Sequence, residues 1–96
     1  MTTMVEIKDR LQKMKPELRE KYHVSSLGLF GSVVRSDFTP SSDVDILVDF
    51  KESIGIEFID LANELEERLH RKVDLVSRNA IKEKYYRAIE DEIVYV

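Results

Sequence analysis

The chain has no cysteine, no tryptophan and only two histidines among its 96 residues. The lack of cysteine excludes disulfides, thiolate nucleophiles and cysteine-ligated zinc. The two histidines, His23 and His70, are too few for a histidine-rich metal site, and each follows a helical stretch, where a surface or capping role is expected. Any metal bound by this chain must therefore be held by oxygen ligands.

Long apolar runs are also missing. No stretch approaches the ~18 apolar residues that a membrane span requires, and the first residues are charged, unlike the apolar core of a signal peptide. The sequence therefore predicts a cytoplasmic protein with no membrane contact. A chain of 96 residues is too short to divide its hydrophobic core in two, so we expect a single domain over residues 1–96.

A surplus of positive charge is absent as well, since the net charge is −4 at pH 7. Proteins that bind nucleic acids by neutralising phosphates usually carry an excess of lysine and arginine, so general nucleic-acid binding is not expected. Basic residues do cluster between Lys8 and Lys21. Acidic residues are interleaved with them, which favours a solvated helix face.

Hydrophobic periodicity predicts an α+β fold, with a small mixed β-sheet of about four strands and helices packed mainly on one face. Helical spacing predicts helices over residues 3–22 and 56–70 and a last helix that begins near Ile81. Pro16 lacks the N–H that would bond to the carbonyl of Gln12, so a kink or a break is expected there. Apolar or alternating runs predict strands over residues 24–30, 43–50, 72–76 and 93–96.

Two carboxylates lie at the start of the second predicted strand. Asp43 and Asp45 project from the same face, with Cα atoms roughly 6.5–7 Å apart. Such carboxylates repel each other unless a cation neutralises them. Mg²⁺ suits them because it takes hard oxygen ligands and leaves positions for phosphate and water. Asp49 shares this face but lies toward the other end of the strand, where a solvated position is expected.

A glycine–serine turn ends the first predicted strand. Gly31 has no Cβ and permits close approach of a phosphate, and the Ser32 hydroxyl can donate to a phosphate oxygen. Backbone N–H groups at this turn would point toward an anion. Arg35 follows one turn later and offers a fork of donors to the same group. Ser32 as a simple helix cap is the alternative interpretation.

A third carboxylate, Asp74, lies between Val73 and Leu75 in a short apolar strand, where burial without a partner would be costly. If this strand adjoins the strand of Asp43 and Asp45, Asp74 can complete the coordination of one metal. The alternative is a surface ion pair with Lys72 or Arg71.

Together these motifs resemble the DNA polymerase beta-like nucleotidyltransferase superfamily, and within it the minimal nucleotidyltransferase (MNT) proteins. The resemblance rests on Leu-Phe-Gly-Ser-Val-Val-Arg at 29–35, Ser-Ser-Asp-Val-Asp-Ile-Leu-Val at 41–48 and Lys-Val-Asp-Leu-Val at 72–76. It covers about residues 24–96. A glycine often follows the arginine in that family, whereas this chain has Ser36.

The resemblance implies roles for these residues. Asp43 and Asp45 would bind two Mg²⁺ ions, Asp74 would bind the catalytic one, and the turn at Gly31 and Ser32 would hold the triphosphate of ATP. In-line attack of a hydroxyl on the α-phosphate would then release pyrophosphate. The chain has no room for the further domains of a templated polymerase.

Many MNT proteins are antitoxins encoded beside a HEPN-family toxin, and some transfer AMP to a tyrosine of that toxin. The resemblance therefore implies a HEPN-type toxin as partner in a hetero-oligomer. One alternative is an antitoxin that neutralises its toxin by contact alone. Another is a small-molecule nucleotidyltransferase of the antibiotic-modifying type, which usually needs a further domain or subunit for its acceptor pocket.

Overall fold

The computed structural model describes residues 3–96. Within these residues, three α-helices and four strands follow one another in the predicted order, and two short 3₁₀ helices lie between them. The helices are α1 (Met4–Tyr22), α2 (Glu57–Leu69) and α3 (Glu83–Ile89). The strands are β1 (Val24–Phe30), β2 (Val44–Phe50), β3 (Val73–Ser77) and β4 (Val94–Tyr95). The 3₁₀ helices are Gly31–Val34 and Glu90–Glu92.

The four strands form one mixed sheet in the order β3-β2-β1-β4. Strand β1 runs antiparallel to both β2 and β4, whereas β2 and β3 are parallel. A parallel pair needs a crossover, and α2 supplies it between β2 and β3. The predicted α+β class with a four-stranded mixed sheet is confirmed.

The hydrophobic core lies between one face of the sheet and helices α1 and α2. Alternation along β2 places Val44, Ile46 and Val48 in this core, fully buried. Helix α1 contributes its predicted apolar stripe and α2 contributes three leucines. Each such side chain stabilises the fold by about 1.5–3 kcal/mol. Because two helices cover this face, the opposite face of β2 and β3 remains free to carry polar side chains.

Helix α1 runs through Pro16 without interruption, so the expected break is wrong. Met14 and Leu18, on either side of the proline, are both buried in the core, and this packing offsets the lost backbone hydrogen bond. The sequence offers Thr2 or Thr3 as the N-terminal cap of α1. Thr3 takes this role by accepting the N–H of Glu6, and Thr2 lies outside the described residues.

The two histidines end helices. His23 terminates α1 and His70 terminates α2, both in the left-handed conformation with φ of 59° and 54°. The expected capping role is confirmed for both.

Candidate active site

Asp45 and Asp74 are direct partners across the parallel pair of β2 and β3. Neighbouring strands lie about 4.8 Å apart, and paired residues project from the same face. Both carboxylates therefore emerge on the face that α1 and α2 leave free. The register brings together two residues that lie 29 positions apart in the sequence.

The expected burial of Asp74 is wrong. Asp74 is exposed, whereas Val73 and Leu75 beside it are half-buried and pack against the core. No burial penalty acts on its carboxylate, because alternation turns it to the open face. The alternative pairing with Arg71 is also absent in residues 3–96, where the Arg71 guanidinium donates instead to the carbonyls of Thr39 and Ser42, at 2.8 and 2.7 Å.

These two Arg71 contacts hold the loop that delivers Asp43. The guanidinium also lies over the ring of Phe38, 4.4 Å from its centre, and the N–H of Val44 donates to the carbonyl of Lys72 at 2.8 Å. Asp43 itself is exposed and directly precedes β2. These contacts connect the loop before β2 to the turn between α2 and β3. They lie next to Asp43, the first carboxylate of the site.

Negative charge accumulates around Asp45. Partial burial, followed by the negative charges of Asp74 and Asp43, raises the pKa of the Asp45 carboxyl from 3.8 to about 6. The positive charge of Arg35 lowers it, and Glu92 raises it further. A cation placed among these carboxylates would remove the repulsion that causes much of this shift.

The donor set fits Mg²⁺, because it consists only of hard carboxylate oxygens. Within residues 3–96, no three histidine or acidic side chains are gathered closely enough to surround an ion as they stand. Asp43 and Asp74 are exposed, so their side chains are free to rotate toward a bound ion.

Gly31 is required by its close approach to Asp45. Its φ is +74°, a conformation that residues with a Cβ rarely adopt, and a Cβ at this position would overlap the Asp45 carboxylate. Phe30 is paired with Asp45 in the sheet, so the turn that begins at Gly31 rises directly beside the carboxylates. Ser32 follows in the same 3₁₀ turn and is partly exposed.

Glu92 belongs to the site and was missed by the sequence analysis. The Gly31 N–H donates to its Oε1 at 3.0 Å, and Arg35 Nη1 lies 3.6 Å from its Oε2. Arg35 Nε also contacts Asp37 Oδ1 at 3.4 Å. In the sequence Glu92 ends an ordinary acidic run, Glu90 to Glu92, and nothing in that pattern separates it from its neighbours.

An apolar cavity of about 450 Å³ opens beside Asp74 on the same face. It lies between the sheet and α3, and its wall includes Phe30, Val76, Tyr85 and Ala88. Apolar walls that include two charged side chains, Asp74 and Lys82, suit a mostly apolar ligand that carries a polar group.

No helix within residues 3–96 combines the length and apolar character that crossing a membrane requires.

Comparison with known proteins agrees with this geometry. Residues 11–96 match the family model described as a nucleotidyltransferase domain. A candidate protein adenylyltransferase from Methanocaldococcus jannaschii is 44% identical over 98 residues, which covers 100% of both chains. Protein adenylyltransferase MntA from Thermococcus cleftensis is 43% identical over 97 residues, which covers 100% of this chain and 98% of the relative.

Solved structures with the same fold include a candidate minimal nucleotidyltransferase, with a TM-score of 0.81 and 24% identity over 97% of this chain and 95% of the other. A toxin–antitoxin structure with AMP-PNP gives a TM-score of 0.65 and 27% identity over 78% of this chain and 60% of the other. A complex of the tri-AMPylated Shewanella oneidensis HEPN toxin with MNT antitoxin gives a TM-score of 0.68 and 22% identity over 93% of this chain and 70% of the other.

The family model covers most of the chain. The two relatives match this chain over 100% and 98% of their own length. The glycine–serine turn and the paired aspartates on adjacent parallel strands lie inside the matched region. The chain belongs to the nucleotidyltransferase domain family.

Proposed function

We propose that this chain is an Mg²⁺-dependent protein adenylyltransferase that transfers AMP from ATP to a tyrosine hydroxyl of a HEPN-type toxin and thereby acts as its antitoxin. The observation that carries the proposal is the direct pairing of Asp45 with Asp74 beside the Gly31 turn. Relatives named as protein adenylyltransferases, and a structural neighbour whose toxin is tri-AMPylated, support the choice of AMP and of a protein acceptor.

The donor half of the site is built on β1 and β2. The turn at Gly31 and Ser32, with Arg35, would hold the β- and γ-phosphates of ATP, and Asp43 and Asp45 would place the α-phosphate. Two Mg²⁺ ions bound by Asp43, Asp45 and Asp74 would neutralise phosphate charge and make the attacking hydroxyl more acidic. The AMP-PNP in a structural neighbour supports ATP as donor.

The acceptor half lies on β3. The proposed phosphate-binding turn follows β1, and Asp74 lies on β3, two strands away. In-line displacement requires the attacking oxygen to lie opposite the leaving pyrophosphate. Asp74 would hold the acceptor hydroxyl and receive its proton. A new bond then joins that oxygen to the α-phosphorus, the bond to the β-phosphate oxygen breaks, and pyrophosphate leaves. The apolar cavity beside Asp74 offers room for the ring of the acceptor side chain.

The test is incubation of the chain with labelled ATP, Mg²⁺ and a HEPN-type toxin, followed by mass spectrometry of that toxin. We expect added AMP on tyrosine with wild type and none with Asp43→Asn or Asp45→Asn. If both variants still neutralise the toxin fully, the chain acts as a non-catalytic binding module and the proposal is wrong.

A further inference from the structure

We infer that Glu92 is an internal competitor of the triphosphate: its carboxylate occupies the place of a phosphate group at Gly31 and Arg35, and nucleotide binding must displace it. This inference rests on the proposed function, because it assigns a regulatory residue to the same ATP site. It concerns a side chain that is not among the motif residues.

Both oxygens of the Glu92 carboxylate are engaged with groups expected to hold phosphate. Oε1 accepts the Gly31 N–H at 3.0 Å, and Oε2 lies 3.6 Å from Arg35 Nη1. The side chain is only 29% exposed, so it is folded into the site. One backbone donor and one guanidinium around two anionic oxygens is the arrangement in which proteins hold a phosphate.

Simultaneous occupancy is unfavourable for two reasons. The Gly31 N–H is a single donor, and a phosphate oxygen that accepts it takes the place of Oε1. A triphosphate placed beside Glu92 would also be repelled by the Glu92 carboxylate, and Arg35, which already faces both Asp37 and Glu92, is the guanidinium there to offset that charge. Replacement of the Glu92 carboxylate by a phosphate group avoids both costs, and Arg35 keeps an anionic partner.

The exchange needs no large movement, because the residues after Glu92 are anchored. Val94 and Tyr95 pair with β1, and the Val96 N–H donates to the Leu27 carbonyl at 3.0 Å. Rotation about the side-chain bonds of Glu92 is sufficient to vacate the Gly31 N–H. The same rotation in reverse would help to expel pyrophosphate after transfer.

The Glu92 carboxylate competes only with phosphate groups that bind at the Gly31 turn. ATP, inorganic pyrophosphate and tripolyphosphate place charged oxygens at Gly31, whereas AMP carries no β- or γ-phosphate. Removal of the Glu92 charge should therefore strengthen binding of the first three and leave AMP unaffected.

The experiment is calorimetric titration of wild type, Glu92→Gln and Asp91→Asn with ATP, pyrophosphate and AMP, each with Mg²⁺ at one pH. Asp91 is exposed and lies in the same 3₁₀ helix, so Asp91→Asn removes an equal charge without touching Gly31. We expect Glu92→Gln to lower the Kd of ATP and pyrophosphate by about three- to tenfold, the scale of one charge-assisted contact. The Kd of AMP for Glu92→Gln should differ from the wild-type value by less than about twofold. The Kd values of all three ligands for Asp91→Asn should likewise stay within about twofold of wild type.

Glu92→Ala, which also removes the acceptor, should lower the Kd at least as much as Glu92→Gln, and thermal melting confirms that each variant is folded before titration. Equal or weaker ATP binding by folded Glu92 variants overturns the inference, and so does an equal gain for AMP or for Asp91→Asn. If wild type and Glu92→Gln bind ATP with the same Kd, this inference is wrong but the proposed function is not affected. Failure of all variants to bind ATP rejects the proposed function as well.

Discussion

The Asp45 carboxylate packs directly against the Cα of Gly31, leaving no space for a side chain at position 31. Two parts of the site, the turn after β1 and the carboxylates of β2 and β3, are therefore built against each other. A change that moves the Gly31 turn would therefore also move the Asp45 carboxylate.

Gly31→Ala should accordingly impair both stability and chemistry. The left-handed φ and the overlap with Asp45 predict a loss of about 1–3 kcal/mol in the free energy of unfolding. AMP transfer should fall by at least about 100-fold, because the carboxylate is pushed from its position. Urea unfolding and a transfer assay measure the two effects. Gly55→Ala is the matched control, since a Cβ there meets only the Glu57 carboxylate at ordinary contact distance. Normal transfer by Gly31→Ala would contradict the role assigned to this turn.

Asp45→Asn should raise the melting temperature of the metal-free protein at pH 7–8 by a few degrees. The folded-state pKa of Asp45 is raised from 3.8 to about 6, so the stability that its protonated form provides is complete below 3.8 and is lost as the pH rises through about 6. Asparagine resembles the protonated form at every pH. Melting curves between pH 3.5 and 8 should therefore show a stability gain for Asp45→Asn that grows over this interval.

Asp49→Asn is the control for this pH series, because Asp49 lies on the same face of β2. It should show no growing gain. Addition of Mg²⁺ should stabilise wild type more than Asp45→Asn, and the affinity of wild type for Mg²⁺ should fall as the pH drops through about 6, since the ion competes with the proton. Identical pH profiles for wild type and Asp45→Asn would contradict the repulsion described above.

Arg71→Lys should loosen the loop that delivers Asp43. A lysine cannot reproduce the guanidinium contacts with the carbonyls of Thr39 and Ser42 and with the ring of Phe38. We expect a loss of about 1–2 kcal/mol in stability and faster hydrogen exchange in the loop between the 3₁₀ helix Gly31–Val34 and β2. Lys72→Arg, next in the chain and exposed, is the control. Unchanged exchange in Arg71→Lys would show that the loop is held by other contacts.

Ala88→Phe should separate binding of the acceptor from binding of ATP. The larger side chain would fill the apolar cavity beside Asp74, so the KM for the protein acceptor should rise about tenfold or more. The Kd for ATP should stay the same, because Gly31 and Arg35 are untouched. Steady-state transfer kinetics and an ATP titration give both values. A change in ATP affinity with an unchanged KM for the acceptor would place the nucleotide, not the acceptor, in the cavity.

Most of the fold could be predicted from the sequence because it depends on local periodicity. The alternation from Val44 to Phe50 and the stripe of α1 both specify which side chains enter the core. The sequence predicts a role for Asp74 on the condition that its strand adjoins the strand of Asp43 and Asp45. The fold confirms that these strands are neighbours, although the reason offered, burial of Asp74, was wrong.

The remaining features depend on contacts between distant segments, which local patterns do not encode. Glu92 reaches Gly31 only because β4 pairs with β1, and Arg71 reaches Thr39 only because the turn between α2 and β3 meets the loop. The continuity of α1 through Pro16 likewise follows from tertiary packing that offsets a local penalty.

Two helices seal one side of the sheet, while the carboxylates emerge on the other. Helix α3 covers this other side only beside Asp74, and Asp43 and Asp74 are exposed, so a nucleotide held there would contact water unless another molecule covered it. Under the function proposed above, we therefore expect slow hydrolysis of ATP by the chain alone and suppression of that hydrolysis when an acceptor protein covers the site.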